Sequence, residues 1–204
     1  MMLKLSELAD ISLGTILTRV NAEPHDDAVS VETISMQEVS YYVGKTDIKG
    51  DVLYSKIRGS KIDTCEFTKI NDVVLGLTSR SAMVIDCSRA NKLIASNFLK
   101  IRIHDTNLLN PTYLCWLINE NRSTKNYFEN SKQGTAAVSV LKAQDVRELI
   151  IDIIPMEEQI KIANFYMKYL EKYRVDKKLA ELNFTLNKLI INRYYKGEKY
   201  NENK

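Results

Sequence analysis

The chain has 204 residues, of which 45% are hydrophobic and 27% are charged, and this composition is typical of a soluble globular protein. No stretch approaches 18 uncharged apolar residues, and Glu7 and Asp10 interrupt the N-terminus where a signal peptide needs an apolar core. We therefore expect a cytoplasmic protein with no membrane span. The net charge is +3, but residues 1–150 are neutral, with 18 basic and 18 acidic side chains, so nucleic-acid binding would need a local basic face.

The first part of the chain is predicted to form a compact, mostly β unit. Lys4–Thr15 is a short amphipathic segment, and the polar residues 18–30 predict a surface loop. From about Val31 to Ile103, short segments rich in Val, Ile, Leu and Tyr alternate with Gly, Asn, Asp or Ser, which is typical of strands and turns. Within this region, the composition of Val31–Val43 favours an extended conformation.

A more helical part begins at Asn110. Asn110 is a suitable N-cap and Pro111 suits the first helical position, so the pattern predicts a helix that continues to Asn121. One or two further helical turns are predicted near Lys125–Asn130. The segment KAQDVREL then predicts a short helix that leads into an apolar strand at Leu149–Ile154.

The longest predicted element follows Pro155. Residues Met156 to Tyr195 contain neither Gly nor Pro, and 40 helical residues would extend roughly 60 Å. Such a helix is too long to bury itself in a small domain, so it predicts a protruding spacer or a pairing surface.

Two apolar stripes run along this predicted helix, offset by a break near Val175–Asp176. The first is predicted to pack on the protein's own domain, and it contains Ala163, Tyr166, Leu170 and Tyr173. The second has the 4-3-4-3 spacing of a coiled-coil seam, so it is predicted to form a dimer interface with another helix; it contains Val175, Leu179, Leu182, Leu186 and Leu189.

The sequence lacks the glycine pattern of the common cofactor sites. No two of its seven glycines lie within three positions of each other, which excludes a P-loop, a Rossmann fingerprint and the glycine-rich turn of an S-adenosylmethionine-dependent methyltransferase. Asn110–Tyr113 (NPTY) is similar to the segment with which adenine methyltransferases hold the target amine. Without a cofactor loop, the interpretation of these residues as a helix cap is favoured.

Metal and nucleophilic chemistry are also poorly supported. His25 and His104 are far apart, and the three cysteines form no CxxC pair, so we expect free, buried thiols in a reducing cytoplasm. Asp63, Glu66 and Lys69 form a loose nuclease-like set, but their spacing is that of ordinary solvated surface. We therefore expect a non-catalytic chain with no metal and no cofactor of its own.

Basic and hydroxyl side chains in three predicted loops are the candidates for DNA contact. The region Lys45–Lys61 carries five basic residues in 17 positions, and the others are Thr78–Ser81 and Ser131–Thr135. Such side chains contact phosphate oxygens and base edges, although each loop alone is also typical of ordinary surface. The candidate DNA-binding residues are Lys45, Lys56, Arg58, Ser60, Lys61, Thr78, Arg80, Ser81, Lys132, Gln133 and Thr135.

The C-terminal run LKAQDVRELIIDIIPMEEQIKIANFY (Leu141–Tyr166) resembles the specificity subunit of type I restriction–modification systems. It matches a recurring pattern of a short helix, an apolar strand, Ile-Pro, Glu-Gln and an apolar helix that begins a conserved spacer. Ser131–Thr135 resembles a loop that precedes this run, whereas NDVVLGLTSRSAMVI and ASNFLKIRI resemble core strands of a target recognition domain. The resemblance covers residues 3–195 and is strongest over residues 134–163.

Full-length members of this family carry two target recognition domains, each followed by a long helix, and the two helices pack antiparallel. Each domain reads half of a bipartite DNA sequence, and the helices set the spacing and dock methyltransferase subunits that contain the S-adenosylmethionine site. The single domain and helix of this chain imply a half-length form that a homodimer would complete. The resemblance thus implies double-stranded DNA and methyltransferase subunits as partners, and it leaves open whether a restriction subunit is also one.

The predicted fold class is α+β, with a small, mostly β target recognition domain, a few helices and one long C-terminal helix for antiparallel coiled-coil pairing. The predicted parts are the recognition domain at 1–154, the spacer and dimerisation helix at 155–195, and a disordered charged tail at 196–204. The predicted function is sequence-specific DNA recognition without catalysis. The alternative is a protein-interaction adaptor or regulator that uses the long helix for bundling.

Overall fold

The computed structural model describes residues 1–23, 27–130 and 140–195, and within these ranges the fold is α+β, as the sequence predicts. The charged tail, residues 196–204, lies outside the described residues. The strands are β1 (Met2–Lys4), β2 (Ala9–Leu13), β3 (Ala28–Thr33), β4 (Leu53–Arg58), β5 (Val73–Gly76), β6 (Ala82–Val84), β7 (Phe98–Ile103) and β8 (Ile150–Asp152). The helices are α1 (Leu5–Leu8), α2 (Leu17–Val20), α3 (Met36–Tyr42), α4 (Pro111–Asn119), α5 (Arg122–Asn130), α6 (Ala143–Arg147) and α7 (Met156–Tyr195).

A four-stranded antiparallel sheet in the order β2–β7–β5–β6 forms the centre of the fold. Strand β7 has the sequence FLKIRI, in which apolar and basic side chains alternate between the two faces. Ile101 is completely buried in the main core. On the other face, Lys100 forms an ion pair with Glu66, and Arg102 donates hydrogen bonds to both carboxylate oxygens of Asp72 at 2.8 Å. Each of these two basic side chains therefore has its own carboxylate.

The start of the chain lies beside the base of the long helix. Strand β1 pairs antiparallel with β8, so that Met2 lies opposite Asp152. The N-terminal amino group of Met1 is 3.2 Å from the Asp152 carboxylate, and the N–H of Leu5 donates to the carbonyl of Leu149 at 2.8 Å. These contacts fix the segment from which α7 begins.

Strands β3 and β4 form a separate two-stranded antiparallel ribbon. One face of the ribbon packs on a second, smaller core that contains Val20, Ile57 and Leu93. The chain next to α2 is bonded to the ribbon as well, because the N–H of Ala22 donates to the carbonyl of Lys56 at 2.9 Å. The opposite face of the ribbon does not take part in this core.

Helix α7 packs on residues 1–154, which we call the globular part, along its first half. Ala163, Tyr166 and Leu170 are buried there, so the predicted packing of the first stripe is confirmed for these three residues. Tyr173, the fourth, is 44% exposed. Further along α7, the ammonium group of Lys177 lies 3.6 Å from the carboxylate of Asp47 in the globular part. In the described ranges, no helix combines the length and the apolar character needed to cross a membrane.

The predicted extended conformation of Val31–Val43 is only partly correct. The first residues belong to β3, but Met36–Tyr42 forms helix α3. The Ser35 side chain caps this helix by accepting a hydrogen bond from the N–H of Glu38 at 3.0 Å. Ser-x-x-Glu is a capping signature, and here it outweighs the β-leaning composition.

The three cysteines are free thiols, as predicted, but their burial differs from the prediction. Cys115 is completely buried in the main core, Cys65 is partly buried and Cys87 is exposed. The expectation that all three are buried is therefore wrong for Cys87, which lies in a short 3-10 turn at the surface.

Candidate nucleic-acid interface

The sequence-derived candidates separate into two groups that different elements hold. The first group lies on β4 and on the 3-10 turn Gly59–Thr64 that follows it, and it contains Lys56, Arg58, Ser60 and Lys61. The second group lies on the segment after α3 and on the turn between β5 and β6, and it contains Lys45, Thr78, Arg80 and Ser81. The third predicted set, Lys132, Gln133 and Thr135, lies outside the described residues.

The ribbon of β3 and β4 presents the first group on its outer face. In the antiparallel register, Lys56 lies opposite Ser30 and Arg58 lies opposite Ala28. Ile57 points to the other face and is completely buried, so the alternation of the strand turns Lys56 outward. Tyr54 shares that outer face and is 59% exposed. The outer face therefore carries the Tyr54 ring and two basic side chains at alternate positions, with the acidic side chain of Glu32 opposite Tyr54.

Arg19 joins the first group in the folded protein, although sequence reasoning placed it in a polar loop. The Nη2 of Arg58 donates a hydrogen bond to the backbone carbonyl of Arg19 at 3.2 Å. Arg19 and Lys61 also line the same open cavity, of about 360 Å³, together with Glu66. Only the tertiary pairing of α2 with β4 brings these cations together, so no local sequence signal indicates it.

The second group is held together by Lys45. Its ammonium group donates to the carbonyl of Ser79 at 3.1 Å and to the Oγ of Ser81 at 2.7 Å. Burial lowers the pKa of the Lys45 ammonium, Lys125 lowers it further, and Glu120 opposes the shift. Arg80, in the same turn, has a φ of +51°, which is uncommon for a residue other than Gly, Asn or Asp. This turn therefore holds a basic side chain on a strained backbone.

Lys45, Arg80 and Ser81 of the second group line a cavity of about 430 Å³ between the globular part and α7, which we call the junction cavity. Lys45, Arg80 and Lys125 contribute positive charge to its wall, whereas Glu120 and Glu129 contribute negative charge. Tyr169 and Tyr173 of α7 form an aromatic wall, and the Tyr173 ring packs on Gly44, next to Lys45. Sequence reasoning missed Lys125 and both tyrosines, because their role depends on how α7 packs.

The predicted dimer seam is solvent-exposed in the single chain. Its five residues have exposed fractions between 55% and 62%: Val175, Leu179, Leu182, Leu186 and Leu189. A second apolar stripe lies on the opposite side of the helix, where Phe184 is 72% and Ile191 is 67% exposed. Phe184 is two residues from Leu182 and from Leu186, and two residues correspond to a rotation of about 200°. The distal half of α7 thus carries two apolar faces.

The side chains that the sequence offers for catalysis or metal binding take part in ordinary structural contacts. Glu66 is paired with Lys100, and the exposed Nε2 of His104 lies 3.0 Å from the Asp10 carboxylate. Asn110 caps α4 by accepting hydrogen bonds from two backbone N–H groups. Over residues 1–23, 27–130 and 140–195, no group of three or more His, Cys, Asp or Glu side chains is placed to hold a metal ion.

A small α+β globular part that carries one long C-terminal helix is also found in subunits of type I restriction–modification systems. The HsdS subunit from Thermoanaerobacter tengcongensis superimposes with a TM-score of 0.63 at 16% identity, over 93% of this chain and 47% of that chain. A chain of a type I restriction–modification system superimposes with a TM-score of 0.69 at 15% identity, over 100% of this chain and 50% of that chain. The S subunit from M. genitalium superimposes with a TM-score of 0.55 at 16% identity, over 95% of this chain and 45% of that chain.

These similarities establish a shared fold. The chain spans about half the length of the solved chains that it matches. No protein-family model matches the sequence, and no curated protein matches it at a significant level. This chain therefore shares its fold with these subunits.

Proposed function

We propose that this protein is a non-catalytic DNA-recognition subunit of a type I restriction–modification system. The observation that carries the proposal is the match of almost the whole chain to about half of an HsdS subunit, including the long helix. The outer face of the β3–β4 ribbon supports it independently, because this face gathers Lys56 and Arg58 on a chain whose first 150 residues are neutral overall.

The ribbon suits a duplex groove. The major groove of B-DNA admits a two-stranded β-ribbon, and basic side chains on its face reach both phosphates and base edges. Lys56 projects from the strand as a flexible point charge and suits a phosphate. The guanidinium of Arg58 donates to the carbonyl of Arg19, so Arg58 holds the chain next to α2 beside this surface. Ser60 and Lys61, on the 3-10 turn that continues β4, extend the same surface.

The exposed seam of α7 supports a homodimer. Five large apolar side chains from Val175 to Leu189 are more than half exposed, and burying them against a second copy removes them from water. In an antiparallel pair of α7 helices, a two-fold axis would place the globular parts at opposite ends. Such a dimer would recognise a palindromic bipartite site, with the helices setting the distance between the half-sites.

The stripe with Phe184 and Ile191 suits the methyltransferase subunit. Because it lies opposite the seam, pairing of two α7 helices leaves it exposed. An amphipathic element of a partner subunit could bury it without disturbing the dimer. The S-adenosylmethionine site and the methyl-transfer chemistry would then belong to that partner, and this chain would position it on the DNA.

The proposal is tested by expressing the chain with a type I methyltransferase subunit from the same source and mapping methylated bases in the host genome. We expect methylation confined to one palindromic bipartite motif. Duplex binding by the purified chain should also weaken strongly with salt, by about 1,000-fold between 50 and 200 mM if about six phosphates are contacted. Methylation without any motif would refute the proposal.

A protein-interaction adaptor is the second candidate function. The distal half of α7, with apolar side chains on two faces, favours it, as does the neutral charge of residues 1–150. An adaptor would bind partner proteins equally well at low and moderate salt and would show no salt-dependent affinity for duplex DNA. The salt titration therefore distinguishes the two functions.

A further inference from the structure

The junction cavity combines positive charge with exposed aromatic rings. It has a volume of about 430 Å³, within the range of ligand pockets in proteins. Its walls come from separate parts of the chain: the segment after α3, the β5–β6 turn, α4–α5 and the first half of α7. The main core, which extends beneath it to Phe128 and Leu170, fixes these walls relative to one another.

The charged wall favours an anion. Lys45, Arg80 and Lys125 outnumber Glu120 and Glu129, so the cavity has one excess positive charge. Lys125 is 3.2 Å from Glu120 and is therefore partly neutralised. The two hydrogen bonds of the Lys45 ammonium go to the neutral oxygens of Ser79 and Ser81, and neither cancels its charge. An ammonium group has three N–H donors, so these two bonds leave the third for a ligand oxygen.

The aromatic wall favours a planar ring. Tyr169 and Tyr173 stack on each other with a distance of 6.2 Å between ring centroids and an angle of 29° between planes. They are 57% and 44% exposed, although both line the cavity. Gly44 makes this arrangement possible, because it adopts a φ of +75° and a Cβ there would lie 2.9 Å from the Tyr173 ring. A third ring could stack on the exposed surface of the tyrosine pair.

We infer that the junction cavity binds a nucleotide, with the base stacked on Tyr169 and Tyr173 and the phosphate held by Lys45 and Arg80. A planar base and an anionic phosphate a few ångströms apart are the two features that the aromatic wall and the neighbouring charged wall complement. The nucleotide is either free in solution or part of a DNA strand next to the ribbon. This binding site does not require the outer face of the ribbon, which the proposed function assigns to sequence recognition.

Calorimetry with the full-length chain tests this inference, with AMP, adenosine and inorganic phosphate as probes. We expect AMP to bind at least about ten times more tightly than adenosine or phosphate, because only AMP uses both walls. Lys45→Gln should weaken AMP binding about tenfold and Tyr169→Ala about fivefold, since one removes the charge and the other the stacking surface. Lys188→Gln, on the exposed distal half of α7, is the matched control and should change AMP binding less than about twofold. Circular dichroism verifies that the variants are folded.

Titration with a duplex and a single-stranded oligonucleotide then identifies the source of the nucleotide. Weaker oligonucleotide binding by Lys45→Gln and Tyr169→Ala, together with competition by AMP, supports a nucleotide within DNA. A loss of AMP binding alone in these variants supports a free nucleotide. The inference is refuted if the wild-type chain does not bind AMP and neither variant changes oligonucleotide binding. That result leaves the proposed function standing, whereas AMP binding without any duplex binding refutes the proposed function and leaves the inference standing.

Discussion

The side chain of Gln159 holds the backbone of Asn110, because its Oε1 accepts a hydrogen bond from the Asn110 N–H at 2.9 Å. Its Nε2 donates to the carbonyl groups of Leu108 at 3.0 Å and Ile154 at 2.9 Å. Gln159 is completely buried, and these three bonds satisfy its amide. Since Asn110 caps α4, one glutamine ties the first turn of α7 to the start of α4. This contact gives a physical reason for the Glu-Gln pair that follows Pro155.

Replacing Gln159 with leucine should destabilise the fold strongly. The apolar side chain leaves the N–H of Asn110 and two carbonyl groups without their buried partner, which should cost about 3 kcal/mol. Guanidinium unfolding followed by circular dichroism measures the free energy of unfolding. The matched control is Glu158→Gln on the exposed face, which should change stability by less than about 0.5 kcal/mol. Equal stability of the two variants would show that the buried amide is dispensable.

Stability should fall in alkaline solution because of two buried tyrosines. Burial raises the pKa of Tyr42 and of Tyr166 well above the ordinary value of 10.0. Above pH 10 the unfolded chain loses these two protons while the folded chain keeps them, so the unfolded state binds fewer protons and stability declines as pH rises. Each tyrosine contributes up to about 1.4 kcal/mol per pH unit.

Tyr166→Phe isolates half of this effect. The variant loses the hydrogen bond that Asn119 Nδ2 donates to the Tyr166 hydroxyl at 2.9 Å, so it should be less stable than wild type at neutral pH. Between pH 10 and 11, however, the variant should lose less stability than wild type, and the difference should be about 1 kcal/mol. Urea unfolding at a series of pH values provides the comparison. Parallel profiles for the two proteins would contradict the prediction.

The elements with a strong local signal are the ones that the sequence predicts. Helix α7 has the predicted bounds because 40 residues without Gly or Pro follow a proline, and α4 begins at Pro111 because Asn110 supplies the cap. The composition of Val31–Val43 predicts an extended conformation, whereas the capping signature at Ser35 begins helix α3. Local rules therefore specify element ends better than average composition does.

The candidate interface could be predicted only in part, because its geometry depends on long-range contacts. Lys45 meets Ser81 across 36 residues of sequence, and Arg58 meets Arg19 across 39. No pattern in the sequence indicates either contact. The sequence does indicate the basic character of each loop. The fold is needed to separate these residues into a ribbon face and a junction cavity, of which Tyr169 and Tyr173 of α7 form one wall.

Lys56→Gln should weaken binding to duplex DNA in a salt-dependent way. Lys56 lies on the outer face of the ribbon, and one lost phosphate contact should reduce the slope of log K against log salt by about 1. Fluorescence anisotropy between 50 and 300 mM salt measures that slope. Lys188→Gln removes the same charge from the exposed distal half of α7 and is the control, with an unchanged slope expected. An unchanged slope for Lys56→Gln would exclude this residue from the DNA interface.

The two faces of the distal helix should be separable by mutation. Leu182→Lys with Leu186→Lys places two charges in the seam, where a second helix would have to bury them, so the proposed dimer should dissociate. Phe184→Lys with Ile191→Lys places the same charges on the opposite face and should leave the dimer intact. Light scattering gives the mass of each variant, and circular dichroism reports whether the globular part remains folded.

Binding to the proposed methyltransferase partner should be lost in the Phe184/Ile191 variant and kept in the Leu182/Leu186 variant. Because Phe184 and Ile191 lie on the face that pairing leaves exposed, charges there should abolish copurification with that subunit while the mass stays that of a dimer. The seam variant, as a monomer, should still bind one methyltransferase subunit but should no longer direct methylation to both half-sites. If both double variants lose the same function, α7 has one interface rather than two, and the assignment of its two faces to different partners is wrong.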